Sequence, residues 1–472
     1  MGTSKAERSK EMWKKKAISS SRENRKMRKR LKEVERSRDR WRKMAERNVE
    51  KEKGTETRAE KRPPKVEKQK PKRHWFRLSV VTVMLRGKLG TSVSFRAMSQ
   101  LFVIFAQGAN LRVRKPSHTT VMNWVHKVGY YQLSRAKRKA DDWVILLDHS
   151  IQLGRDKVFV VYGIRESQID FTRPLRFQDL STLLVTSRDK WDGETVKVCL
   201  LEVKGQVGKI IYAVGDYGSD LRKGLRLAEI EHIHDISHKI ALILEKIYKN
   251  DPRYQEFMVK LAKMAKQLGQ TEYAYIIPPR QRSKAKFQNI SATIRWAMNM
   301  LKCLRGRKIR KQVRARLRWI KEYQELIEEL SETSAAICAI EKVLKCRGLS
   351  RQTVSKCNQI TKKLKTDKGR TVGRQVVKHL RDSVRLLPER KITLCSSDIL
   401  ESSFGKYKNY LSNNPMAGTT NLILCIAAFT SSLEEAETKE ALETTTMLDI
   451  RDWSKKHVGE TLLQKRRALI AA

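Results

Sequence analysis

Between Trp143 and Asp216 the sequence reads strand, strand, strand, helix, strand, and that order leaves few folds open. Trp143 to Asp148, Lys157 to Ile164 and Ser181 to Thr186 are short apolar runs rich in Val, Ile and Leu. Gly193 to Gln206 sets Val196, Cys199, Leu200 and Val203 on one helical face, and Lys209 to Asp216 returns to strand. The pattern predicts a three-stranded antiparallel meander joined through a crossover helix to a fourth, parallel strand. A second helix is expected from Asp220, carrying Leu221, Leu225 and Leu227, and the short His232-Ile233-His234 precedes Asp235. Two of the strands stop on an acid, Asp148 and Asp216. A carboxylate is costly in a core and suited to a divalent cation.

The chain around this pattern is strongly basic. Of 472 residues, 101 are Lys or Arg against 51 acids, a formal net charge of +50. Such an excess draws polyanions by counterion release, so a nucleic acid is the expected partner. The seven cysteines include no CxxC pair and no His at zinc-finger spacing, which suits free thiols in a reducing compartment. The N-terminus is charged throughout, unlike a secretory signal, and the most apolar stretch, Leu422 to Phe429, is too short to span a bilayer. A soluble, intracellular protein in the cytoplasm or on the nucleoid, without a membrane partner, is expected.

Residues 1–73 carry 29 Lys and Arg against 12 acids. Trp13, Ala17, Met27, Leu31, Val34, Trp41 and Ala45 keep a three-four spacing, broken by Ser20, Asn24 and Arg38. A short coiled coil and a solvated basic arm are both open readings, and Pro63-Pro64 with the Lys-rich run to Arg73 reads as a linker. Residues 74–134 predict a helix-turn-helix: a capped helix from Thr91–Ser94, a stop at Gly108-Ala109-Asn110, and a second helix from Pro116 to Gly129. Ser117, His118, Thr119 and Asn123 would then face a DNA groove. Two core helices without DNA contact would give the same pattern, and Trp124 reads as core.

Residues 140–238 form the first part of the expected catalytic core. Residues 239–391 read as an all-α insertion, with Arg314 to Lys345 as one long helix and breaks at Pro278-Pro279 and Gly348. Residues 392–445 complete the core, and 446–472 form a tail. In the completing segment Asp398-Ile399-Leu400-Glu401 opens a helix with a third acid.

Phosphoryl transfer on nucleic acid is commonly carried by two divalent cations about 4 Å apart, held by carboxylates on rigid elements. The order of elements, with Asp148 and Asp216 at strand ends, a helical block and a late Glu401, resembles the RNase H-like catalytic core of DDE transposases over about residues 140–435. The resemblance implies that Asp148, Asp216 and Glu401 hold two Mg²⁺ (or Mn²⁺) ions. A Cys or Asp followed by two residues and then a His is a further mark of such enzymes, matched by Asp235-Ile236-Ser237-His238. Lys408, seven residues after Glu401 on the same helical face, would touch terminal phosphate, while Ser397 stands where some subfamilies carry Arg. Trp296 sits where insertion domains of this kind offer a ring to a flipped base, although a core Trp explains it as well.

Each acid has a plainer explanation too. Asp148 and Asp216 suit strand-end turns, Asp398 is a natural N-cap and Glu401 a first-turn acid, and Asp220 competes with Asp216 from beyond the strand. No GxxxxGK[ST], HExxH or GxSxG motif supports another chemistry. The sequence thus predicts an insertion-sequence transposase that binds terminal inverted repeats, hydrolyses phosphodiesters at the element ends and joins the 3′-hydroxyl to target DNA. A homodimer or higher oligomer on double-stranded DNA follows from the resemblance. The alternatives are an RNase H-like structure-specific nuclease and a non-catalytic DNA-binding regulator.

Overall fold

The central strand runs are apolar on both alternating faces because both faces of the sheet they form are covered. A computed structural model of the chain describes residues 70–471 apart from 112–113, 152–155, 281–286, 288–289, 307–308, 388 and 412–417, together with positions 21, 35 and 39. The expected basic arm and its heptad therefore lie outside the described residues, save for those three positions and 70–73. Strands β1 (Ala140–Ile151), β2 (Lys157–Arg165), β3 (Ser181–Arg188), β4 (Gly208–Gly215) and β5 (Glu231–His234) form one sheet in the order β3-β2-β1-β4-β5. β2 is antiparallel to β1 and β3, whereas β4 pairs parallel with β1 and β5 parallel with β4. This is a mixed α/β architecture.

Alternation along each strand divides the core. Val144 and Leu146 of β1 and Tyr212 and Val214 of β4 face one cluster, while Trp143, Ile145, Leu147 and Ala213 face another. The second cluster is covered by α4 (Gly193–Val207) and α5 (Ser219–Leu227). The first is covered by helices from both ends of the chain. From the N-terminal side come α1 (Leu78–Gly90), α2 (Phe95–Gly108) and α3 (His118–Ser134). Helix α6 (Ile236–Tyr248) follows β5 on this face.

Residues Gln69–Ala472 form one compact unit. Residues 74–134 hold three helices, one more than expected, because the β-branched run Val80 to Val83 hides α1 from helical periodicity. Helix α3 continues past Gly129 to Ser134, and its Val121, Trp124, Val125 and Val128 are buried in the shared core.

The helical block contains α7 (Pro252–Leu268), α8 (Ile290–Arg305), α9 (Lys311–Leu317), α10 (Gln324–Arg347), α11 (Arg351–Thr361) and α12 (Asp367–Leu386). The single long helix expected over Arg314–Lys345 is a correction. It breaks into α9, a 3-10 turn at Arg318–Tyr323 and α10, as Trp319 and Tyr323 fold onto Phe257 at ring distances of 6.0 and 5.3 Å. Gly348 ends α10 at φ 63°, and a side chain there would also meet Phe171 and Ile392.

The chain returns to the core as α13 (Asp398–Leu411) and the fully buried α14 (Leu424–Ala428). The Tyr162 hydroxyl of β2 donates to the Ile426 carbonyl at 2.9 Å and lies 2.8 Å from Ser403 Oγ. Helices α15 (Glu435–Thr444), α16 (Met447–His457) and α17 (Leu462–Ala471) follow, so the expected tail 446–472 is largely helical. A capping box of Thr446 and Asp449 starts α16.

Lys88, at the end of α1, is 1% exposed. Its ammonium lies 3.4 Å from the ring centre of Tyr410 on α13 and donates to the Val93 carbonyl, and burial lowers its pKa to about 8. The Tyr410 hydroxyl returns a bond to the Lys88 carbonyl at 2.7 Å.

Candidate active site

In an open sheet with parallel strands, a crevice forms at the carboxyl ends of strands where the connections diverge to opposite sides. Here that point lies between β1 and β4, since β1 leads outward to β2 and β3 while β4 leads to β5. Pairing between β1 and β4 ends at Leu147 and Gly215; Asp148 is the next residue of β1, and Asp216 directly follows the end of β4. Asp148 does not end β1, contrary to expectation, because the strand runs to Ile151 against β2. It is the residue at which β1 loses its neighbour on the β4 side. By alternation both acids share the face of Leu146 and Val214, on the side covered by α6 and α13.

His238, in the first turn of α6, joins these acids to the third. Its Nδ1 lies 3.0 Å from Asp216 Oδ1 and its Nε2 2.9 Å from Glu401 Oε1 on α13. Burial lowers the pKa of the ring, but hydrogen bonds to Asp216 and Glu401 outweigh it and raise the value to about 11. His238 is therefore an imidazolium at neutral pH, donating from both nitrogens. Burial pushes Asp216 up, yet the His238 bond and charge hold it below the usual carboxylate range. Asp148 accepts the His149 N–H at 2.6 Å. Its pKa is raised to about 7, chiefly by burial and further by the charges of Asp216 and Glu401.

Asp235 positions this group. It is 1% exposed and caps α6 by accepting the His238 N–H at 2.9 Å. Its other oxygen accepts from Ser397 N–H at 2.6 Å and Ser397 Oγ at 2.9 Å. Its own N–H donates to the Gly215 carbonyl at 2.9 Å. One side chain and its backbone thus tie the end of β4, the first turn of α6 and the entry to α13. Ser397 is one of its partners.

The helical block closes one side. Lys345 of α10 forms an ion pair with Asp398, and the Ser237 hydroxyl donates to Asp398 at 3.3 Å. A cleft of about 410 Å³ beside Glu401 is lined by residues of α6, α8, α10 and α13, among them Ser237, Ser291, Glu341 and Ser402. Trp296 of α8 is not part of its lining and is partly buried against the core. Lys408 is exposed on α13, two turns beyond Glu401.

Sequence reasoning missed the aromatic surroundings. Tyr217 stacks on His234 at 3.4 Å between ring centres, with His232 and His379 at 4.3 and 6.3 Å from His234. Burial keeps all three histidines neutral, at about 4, 3 and 4 for His232, His234 and His379. The alternate histidines of His232-Ile233-His234 were the available signal, since they share one face of β5. On the opposite face His149 lies 3.3 Å from Asp220 and packs on Phe159 and Trp191, so Asp220 has a partner away from Asp216.

Of the residues expected to read DNA, Ser117 caps α3 by accepting the Thr120 N–H at 3.0 Å. Thr119 is exposed, and His118 and Asn123 are half-buried. Among the described residues no three His, Cys, Asp or Glu side chains form a ready-made metal cage, and no helix is long and apolar enough to cross a membrane.

No family model and no curated protein matches the chain. Among solved structures it is similar to the Drosophila P element transposase strand transfer complex, at 14% identity and a TM-score of 0.36, covering 80% of this chain and 94% of that one.

Proposed function

We propose that this chain is a DDE transposase with an RNase H-like core, cutting DNA at element ends and joining the freed 3′-hydroxyl to target DNA. One observation carries the reading. Asp148 and Asp216 directly follow the last residues paired between two adjacent parallel strands, at the sheet's point of divergence and on one face, and His238 links Asp216 to Glu401 across 163 residues of chain.

The donor set fits a hard divalent cation. Asp148, Asp216 and Glu401 offer only carboxylate oxygen, and Asp216 and Glu401 both raise the pKa of Asp148, a cost that positive charge removes. These three residues would hold Mg²⁺ or Mn²⁺, two ions per site. The ions would supply charge stabilisation for phosphodiester attack by water or a 3′-hydroxyl. His238 holds Asp216 and Glu401 at bonding distance from one cationic ring. Asp235 and Ser397 keep α6 and α13 in register with β4. Lys408 would meet phosphate along α13, while His118, Thr119 and Asn123 at the start of α3 would meet the element's terminal repeats. Two ends cut together call for a dimer or larger assembly on double-stranded DNA.

The test is end-specific nicking of labelled element-end duplexes by purified protein in Mg²⁺. Nicking should disappear in Asp216→Ala and Glu401→Ala, with folding unchanged by circular dichroism. Cleavage that survives both substitutions, or that ignores the end sequence, would overturn the reading.

A further inference from the structure

Away from the acids, α11 and α12 pack side by side, and the seam between them opens as a trough. Gly373 permits the close approach, since a Cβ there would lie 2.7 Å from the Thr361 Cβ. Two adjoining cavities of about 800 and 430 Å³ share Asn358, Arg381 and Arg385 along this seam. Their linings carry seven basic residues against two acids, Asp367 and Asp382. Those acids are paired with Arg370 at 2.6 Å and Arg385 at 3.7 Å. Arg374 lies 3.2 Å from the Thr371 hydroxyl, and no described carboxylate forms an ion pair with Lys362, Lys378 or Arg381.

The arrangement is ordered along the helix. Arg370, Arg374, Lys378, Arg381 and Arg385 are all exposed, while Val372, Gly373, Val376, Val377 and Leu380 form the buried face of α12. At 100° per residue the five cations fall within an arc of about 80°, and at 1.5 Å per residue they extend over about 22 Å. One DNA strand presents about six phosphates over that length at 3.4 Å each. Asn358, Thr361 and Ser355 add neutral hydrogen-bonding groups, but no aromatic ring lines either cavity. Single strands are commonly gripped by stacking bases on rings, so this lining suits the backbone of a duplex.

We infer that the α11–α12 trough is a second DNA surface, holding the sugar-phosphate backbone of a duplex outside the cleavage site and without reading its sequence. The inference takes its ligand class from the function proposed above. Its site is separate, and the two can fail independently.

The experiment uses the full chain in EDTA with a labelled duplex of arbitrary sequence, a single strand of equal length, and a salt series read by fluorescence anisotropy. Arg374→Ala/Lys378→Ala/Arg381→Ala should weaken duplex binding regardless of sequence and lower the salt slope by about 3, at 0.9 per lost phosphate contact. Single-strand binding should change much less. A slope equal to that of the parent protein, with an unchanged circular dichroism melt, overturns the trough. An equal loss on single strands overturns the duplex assignment. If the slope falls while the parent shows no Mg²⁺-dependent nicking, the trough stands and the transposase reading fails. If nicking is present and the slope is unmoved, the reverse holds.

Discussion

Replacing His238 with Ala removes the cation between Asp216 and Glu401, and the effect should depend on pH in a defined direction. Keeping a proton up to about pH 11 rather than 6.5 corresponds to at most about 6 kcal/mol. The two carboxylate side chains are 37% and 47% exposed, so water and salt screen both bonds. That screening reduces the net contribution to about 1–3 kcal/mol. Between the unfolded and folded pKa values the native chain holds a proton that the unfolded chain has lost. Stability then falls as pH rises, by up to about 1.4 kcal/mol per pH unit. The wild type's advantage over His238→Ala should therefore be complete below pH 6.5, shrink above it, and be lost well before pH 11. Urea unfolding midpoints of both proteins from pH 6 to 9.5 measure this. Parallel profiles, with a gap that does not narrow, would refute the picture of a charged ring held by two acids.

Three further outcomes follow from the same geometry. Asp148 is raised from 3.8 to about 7, so its ionised form burdens the fold above pH 7 and not at pH 4. Asp148→Asn should be more stable than the wild type by up to about 4 kcal/mol at pH 8, match it at pH 4 and abolish nicking; a gain over the wild type no larger at pH 8 than at pH 4 would contradict this. Ser397→Ala should cost about 1 kcal/mol by urea unfolding, because its backbone bond to Asp235 survives, whereas Asp235→Ala orphans three donors and should cost about 3 kcal/mol or more. Equal costs would mean that Asp235 does not join α6 to α13. Gly373→Val overpacks against Thr361 and should cost about 1–3 kcal/mol while weakening duplex binding, as thermal melts and anisotropy would report.

The sheet was legible because its residues are apolar on both faces, and a run such as Val144 to Leu147 has few other uses. The shared face of Asp148 and Asp216 follows from strand period and pairing, once β4 is known to lie beside β1. Other features depend on contacts distant in sequence. The link of His238 to Glu401 crosses the whole helical block, and Asp235-x-x-His238 alone indicates only a capped helix. The break at Arg318–Tyr323 is set by rings folding onto Phe257, which no local periodicity encodes. Likewise, α1 carries β-branched residues that a packed core accepts as helix.

The buried Lys88 bears on how such a chain can be re-engineered or recombined. Its ammonium packs on a ring of the same helix that carries Glu401, and that ring's hydroxyl bonds back to α1. The N-terminal helices are thus masonry under the acid-bearing helix, not a detachable reading head. Grafting a foreign DNA-recognition module in place of residues 74–134 would remove that footing. Substitutions in these helices are better confined to exposed positions such as Thr119, which leave that footing in place.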